Sequence, residues 1–347
     1  MSKKIKILIV DDSAFMRLLL TDLFSKDPDL EVIGTASDGK QAVNQVRDLN
    51  PDLVVLDMNM GDYDGLYGVE RIMKEYPRPV LILSSVGNSN LNPIFDALAL
   101  GAVDYINKPK TGNSKIREMD EELLAKVKKV ARAHPMVAPA LAGKELHKFP
   151  HTFDHKANYD IIVVGASTGG PTAIEKLLTS LPANLNVPVV IAQHMPANFI
   201  KSFANRLNSI GGLKVTVGKK GMTPKPGVVT IAPGDSNMIL EKGKSGDQVQ
   251  IGFTREVYTD YNHPSINALM WSVGECYGSR AIGVLLTGMG KDGVKGLKHI
   301  RDKGGKTIAQ DEKSSVIYGM PKMAVEKNAA EVVLNIKEIG GYLVNCL

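Results

Sequence analysis

The sequence predicts an α/β protein built from two doubly wound parallel-sheet domains. Three observations carry this. The 347 residues suffice for two ordinary domains. Short β-branched apolar runs alternate with amphipathic helical stretches in both halves, and strand–helix alternation implies a parallel sheet. Between the halves lies a stretch of different character, marked by Pro135, Pro139 and Pro150. The predicted division is residues 1–133, a linker over 134–158, and a second domain over 159–347. Hydrophobic content of 44% and charged content of 23% supply ordinary globular core material.

In the first half the strands are Ile5–Val10, Glu31–Thr35, Leu53–Asp57, Val80–Ser84 and Val103–Ile106. Helical patterns fill Phe15–Ser25, Gly39–Leu49, Leu66–Glu75 and Asn92–Leu100. A further helix over Lys115–Ala133 is acidic at its start and basic at its end, as the helix dipole favours. Ligands of such sheets bind at the carboxyl ends of the strands. Asp11 and Asp12 end the first strand, Asp57 the third and Ser84 the fourth, while Lys108 follows the fifth. Three converging carboxylates repel unless a cation sits among them, and hard oxygen ligands suit Mg²⁺. A lysine and a serine beside them complement a phosphoryl group. Each residue alone is an ordinary turn former; the five together at successive strand ends predict a metal-assisted aspartate phosphorylation site.

The segments Asp11–Arg17, Leu56–Met60 with Asp64-Gly65, Ser84-Ser85 and Tyr105–Pro109 resemble a response-regulator receiver domain, which has a flavodoxin-type sheet. The resemblance implies that Asp57 is the phosphoacceptor. It implies that Asp12, Asp57 and the Asn59 carbonyl hold Mg²⁺ with help from Asp11. Ser84 and Tyr105 become the switching hydroxyl and aromatic, and Lys108 senses the phosphoryl group. Met60-Gly61 stands where the family carries Met-Pro, and a glycine there is expected to free the loop.

His147, His151 and His155 lie in the linker. Pro150 interrupts any helix that would align them, and no zinc spacing is present. Cys276 and Cys346 form no CxxC and read as reduced thiols of a cytoplasmic protein. The net charge of +5 is too mild to indicate nucleic-acid binding. Asp11-Asp12 cuts off the N-terminal apolar run well short of a secretory signal, and no run approaches a membrane span. Membrane contact is therefore expected only through a partner.

The second half restarts the alternation with strands at Asp160–Val164, Val187–Gln193, Val228–Ala232, Ala281–Leu286 and Lys306–Ala309. The first ends in Gly165-Ala166-Ser167-Thr168-Gly169, a G-x-S-x-G turn that could raise a serine nucleophile or cradle a phosphate. Strand ends also deliver His194 and Asp292. A serine needs a base within reach, and the base needs an orienting carboxylate, so Ser167, His194 and Asp292 form a candidate triad. The Gly288–Gly290 turn offers peptide N–H groups for an oxyanion. A competing reading takes Gly288–Gly293 as a dinucleotide-binding G-x-G-x-x-G with Asp311 downstream. Against it, the turn follows the fourth strand and sets Asp292 where pyrophosphate would sit.

Ile162–Gly170, Gln193–Pro196, Ile231–Gly234, Leu286–Gly290 with Asp292-Gly293, and Gln310–Glu312 with Tyr318–Pro321 resemble the chemotaxis protein-glutamate methylesterases of CheB type. That resemblance covers nearly the whole chain. It implies a Rossmann-like catalytic domain with Ser167, His194 and Asp292 as triad and the Met289 amide as oxyanion donor. It implies hydrolysis of γ-glutamyl methyl esters on chemoreceptors, possible glutamine deamidation, no cofactor for the esterase, and a histidine kinase as phosphodonor. Gly169 and Gly170 are expected to leave room for a receptor helix. Asn237 replaces a family histidine, and Asn262-His263-Pro264-Ser265-Ile266-Asn267 replaces His-Arg-Pro-Ser-Val-Asp, so contacts beside the site are expected to differ.

Overall fold

The computed structural model describes residues 3–84, 91–108, 116–133, 159–243, 248–256 and 263–347. The predicted linker, Ser85, Pro109 and Asn262 lie outside them. The chain divides into two compact units, Met1–Ala142 and Gly143–Leu347.

The first unit runs β1 (Ile5–Val10), α1 (Ala14–Ser25), β2 (Leu30–Ala36), α2 (Gly39–Leu49), β3 (Leu53–Asp57), α3 (Gly65–Glu75), β4 (Val80–Ser84), α4 (Asn92–Leu100), β5 (Asp104–Asn107) and α5 (Ile116–Val130). The sheet is parallel in the order β2-β1-β3-β4-β5. Every residue of β3 and β4 is buried, because helices cover both faces of a parallel sheet. Side-chain caps start three helices. Ser13, Asp38 and Asp64 accept from Met16, Gln41 and Tyr67 N–H, satisfying donors a helix start leaves open.

The second unit runs β6 (Ile161–Ala166), α6 (Gly170–Ser180), β7 (Val189–Gln193), α7 (Ala197–Ile210), β8 (Lys214–Val217), β9 (Val228–Ile231), β10 (Asn237–Lys242), β11 (Val249–Thr254), α8 (Ile266–Tyr277), β12 (Ala281–Leu285), α9 (Val294–Asp302), β13 (Lys306–Gln310), α10 (Met320–Glu326), β14 (Val332–Leu334) and α11 (Ile336–Cys346). Seven strands form a parallel sheet in the order β14-β13-β12-β6-β7-β9-β8, and β10 and β11 pair as an antiparallel hairpin. The expected five strands are all present. The sequence reading did not include β8, β14 or the hairpin. Edge strands of three or four residues carry too little alternation to stand out.

Both sheets reverse direction once. In the first unit the chain winds outward from β1 on one side and β3 on the other. In the second it winds from β6 towards β8 and from β12 towards β14. Such a reversal opens a crevice at the carboxyl ends of the two central strands. Asp11, Asp12 and Asp57 flank the first crevice; Ser167 and Asp292 flank the second.

Candidate active site and acidic crevice

Ser167 follows β6, and its N–H donates to the Thr287 carbonyl at 3.0 Å, tying the turn to the end of β12. His194 follows β7, and its N–H donates to the Ala166 carbonyl at 3.1 Å. Gln193 fixes both: its amide nitrogen donates to the Ser167 and His194 carbonyls, each at 3.0 Å. With the backbones held, the side chains meet. His194 Nδ1 lies 3.0 Å from Ser167 Oγ, and His194 Nε2 lies 2.8 Å from Asp292 Oδ2. A neutral ring donating Nε2–H to the carboxylate turns the Nδ1 lone pair towards the serine, the arrangement a general base needs.

Asp292 is buried, and its surroundings explain how a charge survives there. Ile266 N–H donates to Oδ2 at 2.8 Å; Asn267 and Gly293 N–H each donate to Oδ1 at 2.9 Å. Ile266 and Asn267 open α8, whose N-terminus favours negative charge. Burial alone would raise the Asp292 pKa. The His194 ring and the Asn267 and Ile266 N–H groups reverse this and hold it below the usual carboxylate range. Ser265 caps α8 by accepting from Ala268 N–H, and its own N–H donates to buried Asn237 Oδ1 at 2.8 Å. Asn267 Oδ1 accepts from Gly296 N–H at 2.9 Å. Of the residues at which this chain departs from the resembling pattern, Ile266 and Asn267 hold the carboxylate through peptide N–H groups, while the Asn237 and Asn267 side-chain oxygens brace the start of α8.

The Gly288–Gly290 turn needs one correction as an oxyanion cradle. Gly288 N–H donates to the Ile317 carbonyl at 3.1 Å and is not available. Among the described residues the Met289 N–H has no acceptor, so the predicted donor stands open. The expectation for Gly169 and Gly170 also changes. Gly169 has φ +74°, and a Cβ there would lie 2.5 Å from Val316; at Gly170 it would lie 2.0 Å from Gln193 Oε1. Close internal packing, rather than space for a partner, demands these glycines.

In the first unit, Asp11, Asp12 and Asp57 each present a carboxylate oxygen within 4.8 Å of the others. Lys108 Nζ bridges Asp11 Oδ2 at 2.7 Å and Asp57 Oδ2 at 2.8 Å. Asp11 Oδ2 meets the lysine at ion-pair distance but without hydrogen-bond alignment, and buried Asp57 Oδ1 has no hydrogen-bond partner among the described residues. Burial, with Asp11 alongside, raises the Asp57 pKa against the lowering by Lys108; the two carboxylates raise that of Lys108 against its own burial. Unsatisfied carboxylate oxygens crowded at one point fit a divalent hard cation. Asn59 is exposed on the loop after β3. Ser84 is buried with its hydroxyl unpartnered among the described residues, and Tyr105 is buried with its ring 5.4 Å from Lys126 Nζ. Gly61 has φ +51°, which proline cannot adopt, so this loop follows a path closed to a Met-Pro sequence.

Fold and sites define a class: a two-unit α/β protein pairing an acidic aspartate–lysine crevice with a Ser–His–Asp constellation of hydrolase type. The CheB methylesterase family model matches residues 162–343, and the response regulator receiver domain model matches residues 7–119. A protein-glutamate methylesterase/protein-glutamine glutaminase of Nitratidesulfovibrio vulgaris is 38% identical, with 99% of each chain covered. One of Carboxydothermus hydrogenoformans is 39% identical over 98% of each. The CheB methylesterase catalytic domain of Thermotoga maritima superposes with a TM-score of 0.53 at 37% identity, covering 55% of this chain and 100% of that domain. The chain belongs to the CheB methylesterase family and carries the family's receiver domain. Among the described residues no helix is long and apolar enough to cross a membrane.

Proposed function

We propose that this chain hydrolyses γ-glutamyl methyl esters of a chemoreceptor, under control of aspartate phosphorylation in its receiver. The observation that carries the reading is the chain of contacts from Ser167 Oγ through the His194 ring to Asp292. His194 Nδ1 takes the serine proton as Oγ bonds to the ester carbonyl carbon. Asp292 stabilises the imidazolium, and the Met289 N–H receives the negative oxygen. The carbonyl re-forms, the C–OCH₃ bond breaks, and His194 returns the proton to release methanol. Water then attacks the acyl-serine by the same route and frees the glutamate carboxylate. A primary amide enters the same sequence with ammonia as leaving group, consistent with the glutaminase part of the relatives' names.

In the receiver, Asp57 accepts a phosphoryl group from a histidine kinase. Asp11, Asp12, Asp57 and the Asn59 carbonyl would hold Mg²⁺, which supplies positive charge against the phosphoryl oxygens. Lys108 reads the new charge, and Ser84 and Tyr105 transmit it. A domain order of receiver over residues 1–133, linker over 134–158 and esterase over 159–347 fits this division of labour, in a cytoplasmic protein that meets the membrane only through its receptor. The decisive test is Ser167→Ala, assayed for methanol release from methylated receptor. We expect activity to vanish while circular dichroism and melting stay unchanged; retained turnover removes Ser167 as nucleophile.

A further inference from the structure

The active-site turn Gly290–Gly293 runs directly into α9, and along α9 lies a groove of about 380 Å³ that the catalytic reading does not use. Trp271 from α8, Val294 from α9 and Met323 from α10 form its apolar part. Trp271 is 48% exposed, yet its ring is fixed: it stacks on His299 with centroids 3.8 Å apart and planes 6° from parallel. His299 is held in turn by Glu275, Nε2 to Oε1 at 2.6 Å. A rigid, exposed tryptophan in a concave surface is the usual anchor of a protein contact.

The rim is basic. Lys295 and Lys298, three apart on α9, share a helical face; Lys291 joins them from the turn before α9, and Lys327 faces them from the end of α10. Asp302 is the acid among the lining residues, and it pairs with Lys298. Lys295 and Lys327 have no ion pair among the described residues, so the lining carries a clear positive surplus. Lys291 immediately precedes Asp292, so the groove begins beside the triad. Along α9 itself, Val294–Asp302, it runs about 12 Å at ~1.5 Å per residue, roughly two turns of a helix laid alongside.

We propose that this groove docks an acidic polypeptide segment: the glutamate-bearing stretch of the substrate that flanks the reacting ester. This deepens, and rests on, the methylesterase reading. Each turnover converts an ester or amide into a carboxylate, so a substrate with several modifiable positions grows more acidic beside the position being processed. The lysines hold those carboxylates while Trp271 takes an apolar face of the same segment. Electrostatic docking of this kind acts on encounter and KM and leaves the bond-breaking step alone.

The test compares the full-length wild type with Lys295→Glu/Lys327→Glu and with Trp271→Ala. The substrates are a membrane-free methylated receptor fragment and a short uncharged peptide carrying one γ-glutamyl methyl ester. For the double variant we expect KM on the fragment to rise about tenfold or more at low salt, as loss of steering implies. We expect that difference to close near ~1 M salt, where screening is complete, with kcat and turnover of the short peptide unchanged. Trp271→Ala should raise KM at every salt concentration. Unchanged KM on the fragment overturns the proposal. So does a double variant that loses binding only to receptor-free anionic phospholipid vesicles, which would assign the groove to a lipid surface. Titration calorimetry of the fragment against wild type and double variant reads docking without turnover. A wild type that binds the fragment but hydrolyses neither substrate would therefore sink the esterase reading alone.

Discussion

Asp292→Asn isolates what the buried carboxylate does. The side chain accepts from three backbone N–H groups and the His194 ring at 2.8–2.9 Å, and an amide must place its NH₂ at one of the two oxygen positions. At Oδ1 the NH₂ opposes Asn267 and Gly293 N–H and orphans both. At Oδ2 it orphans only Ile266 N–H, because the His194 ring can change tautomer and accept. The second placement avoids one buried unsatisfied donor, worth about 1–3 kcal/mol, so it prevails. It also puts the His194 proton on Nδ1, pointing at Ser167, which removes the base. A wrong-tautomer histidine costs about 10⁴ in kcat in a triad, or about 5.5 kcal/mol at 1.36 kcal/mol per tenfold. The orphaned Ile266 N–H should lower the melting temperature of the second unit by roughly 2–12 °C, given about 2–4 °C per kcal/mol at this size. Methanol release and thermal denaturation measure the two effects separately. An Asp292→Asn enzyme within tenfold of wild-type activity would refute the tautomer argument.

Three further outcomes are expected. Because the folded-state pKa of Asp292 lies below its unfolded value, the carboxylate contributes stability above about pH 4 that is lost as pH falls through the folded pKa; wild type should lose melting temperature faster than Asp292→Asn below pH 4, and parallel curves would count against a buried carboxylate. Asp57→Asn should abolish any rise in methanol release caused by a small-molecule phosphodonor while leaving the basal rate intact; stimulation that persists would place the control elsewhere. Asn267→Ala leaves the buried Gly296 N–H without its acceptor and should cost about 1–3 kcal/mol; an Asn267→Ala protein that melts with wild type would show that the side chain supports nothing.

The fold was legible because parallel strands buried on both faces are written as uninterrupted apolar runs. Leu53–Asp57 and Val80–Ser84 match their predicted bounds for that reason. Two triad positions were legible because Ser167 and His194 directly follow such runs, and Asp292 because it lies in the turn after a third, with strand ends gathered at one edge. What surrounds them was not. Nothing in Ser265-Ile266-Asn267 announces that two of its peptide N–H groups grip a carboxylate about 25 residues downstream; only a Ser before an apolar stretch hints at a helix start. Gln193 reads as the polar end of a strand, although it clamps the carbonyls of both Ser167 and His194. Gly169 and Gly170 were visible as glycines, but their cause, Val316 and Gln193, is tertiary.

The departures at Asn237, Ile266 and Asn267 show how such a site tolerates change. If the carboxylate were held by side chains, replacing a histidine and an arginine of the neighbouring segments would remove partners and leave buried charge uncompensated, at several kcal/mol per lost group. The helix start supplies backbone N–H groups instead, and these persist as long as α8 begins at the same place. The constraint therefore falls first on the register of the helix. Asn237 serves that register from a distance by accepting the Ser265 N–H, and Asn267 serves it by tying α8 to Gly296 on α9. Substitutions that keep an acceptor at these two points keep the register, and with it the charge that orients His194 towards Ser167.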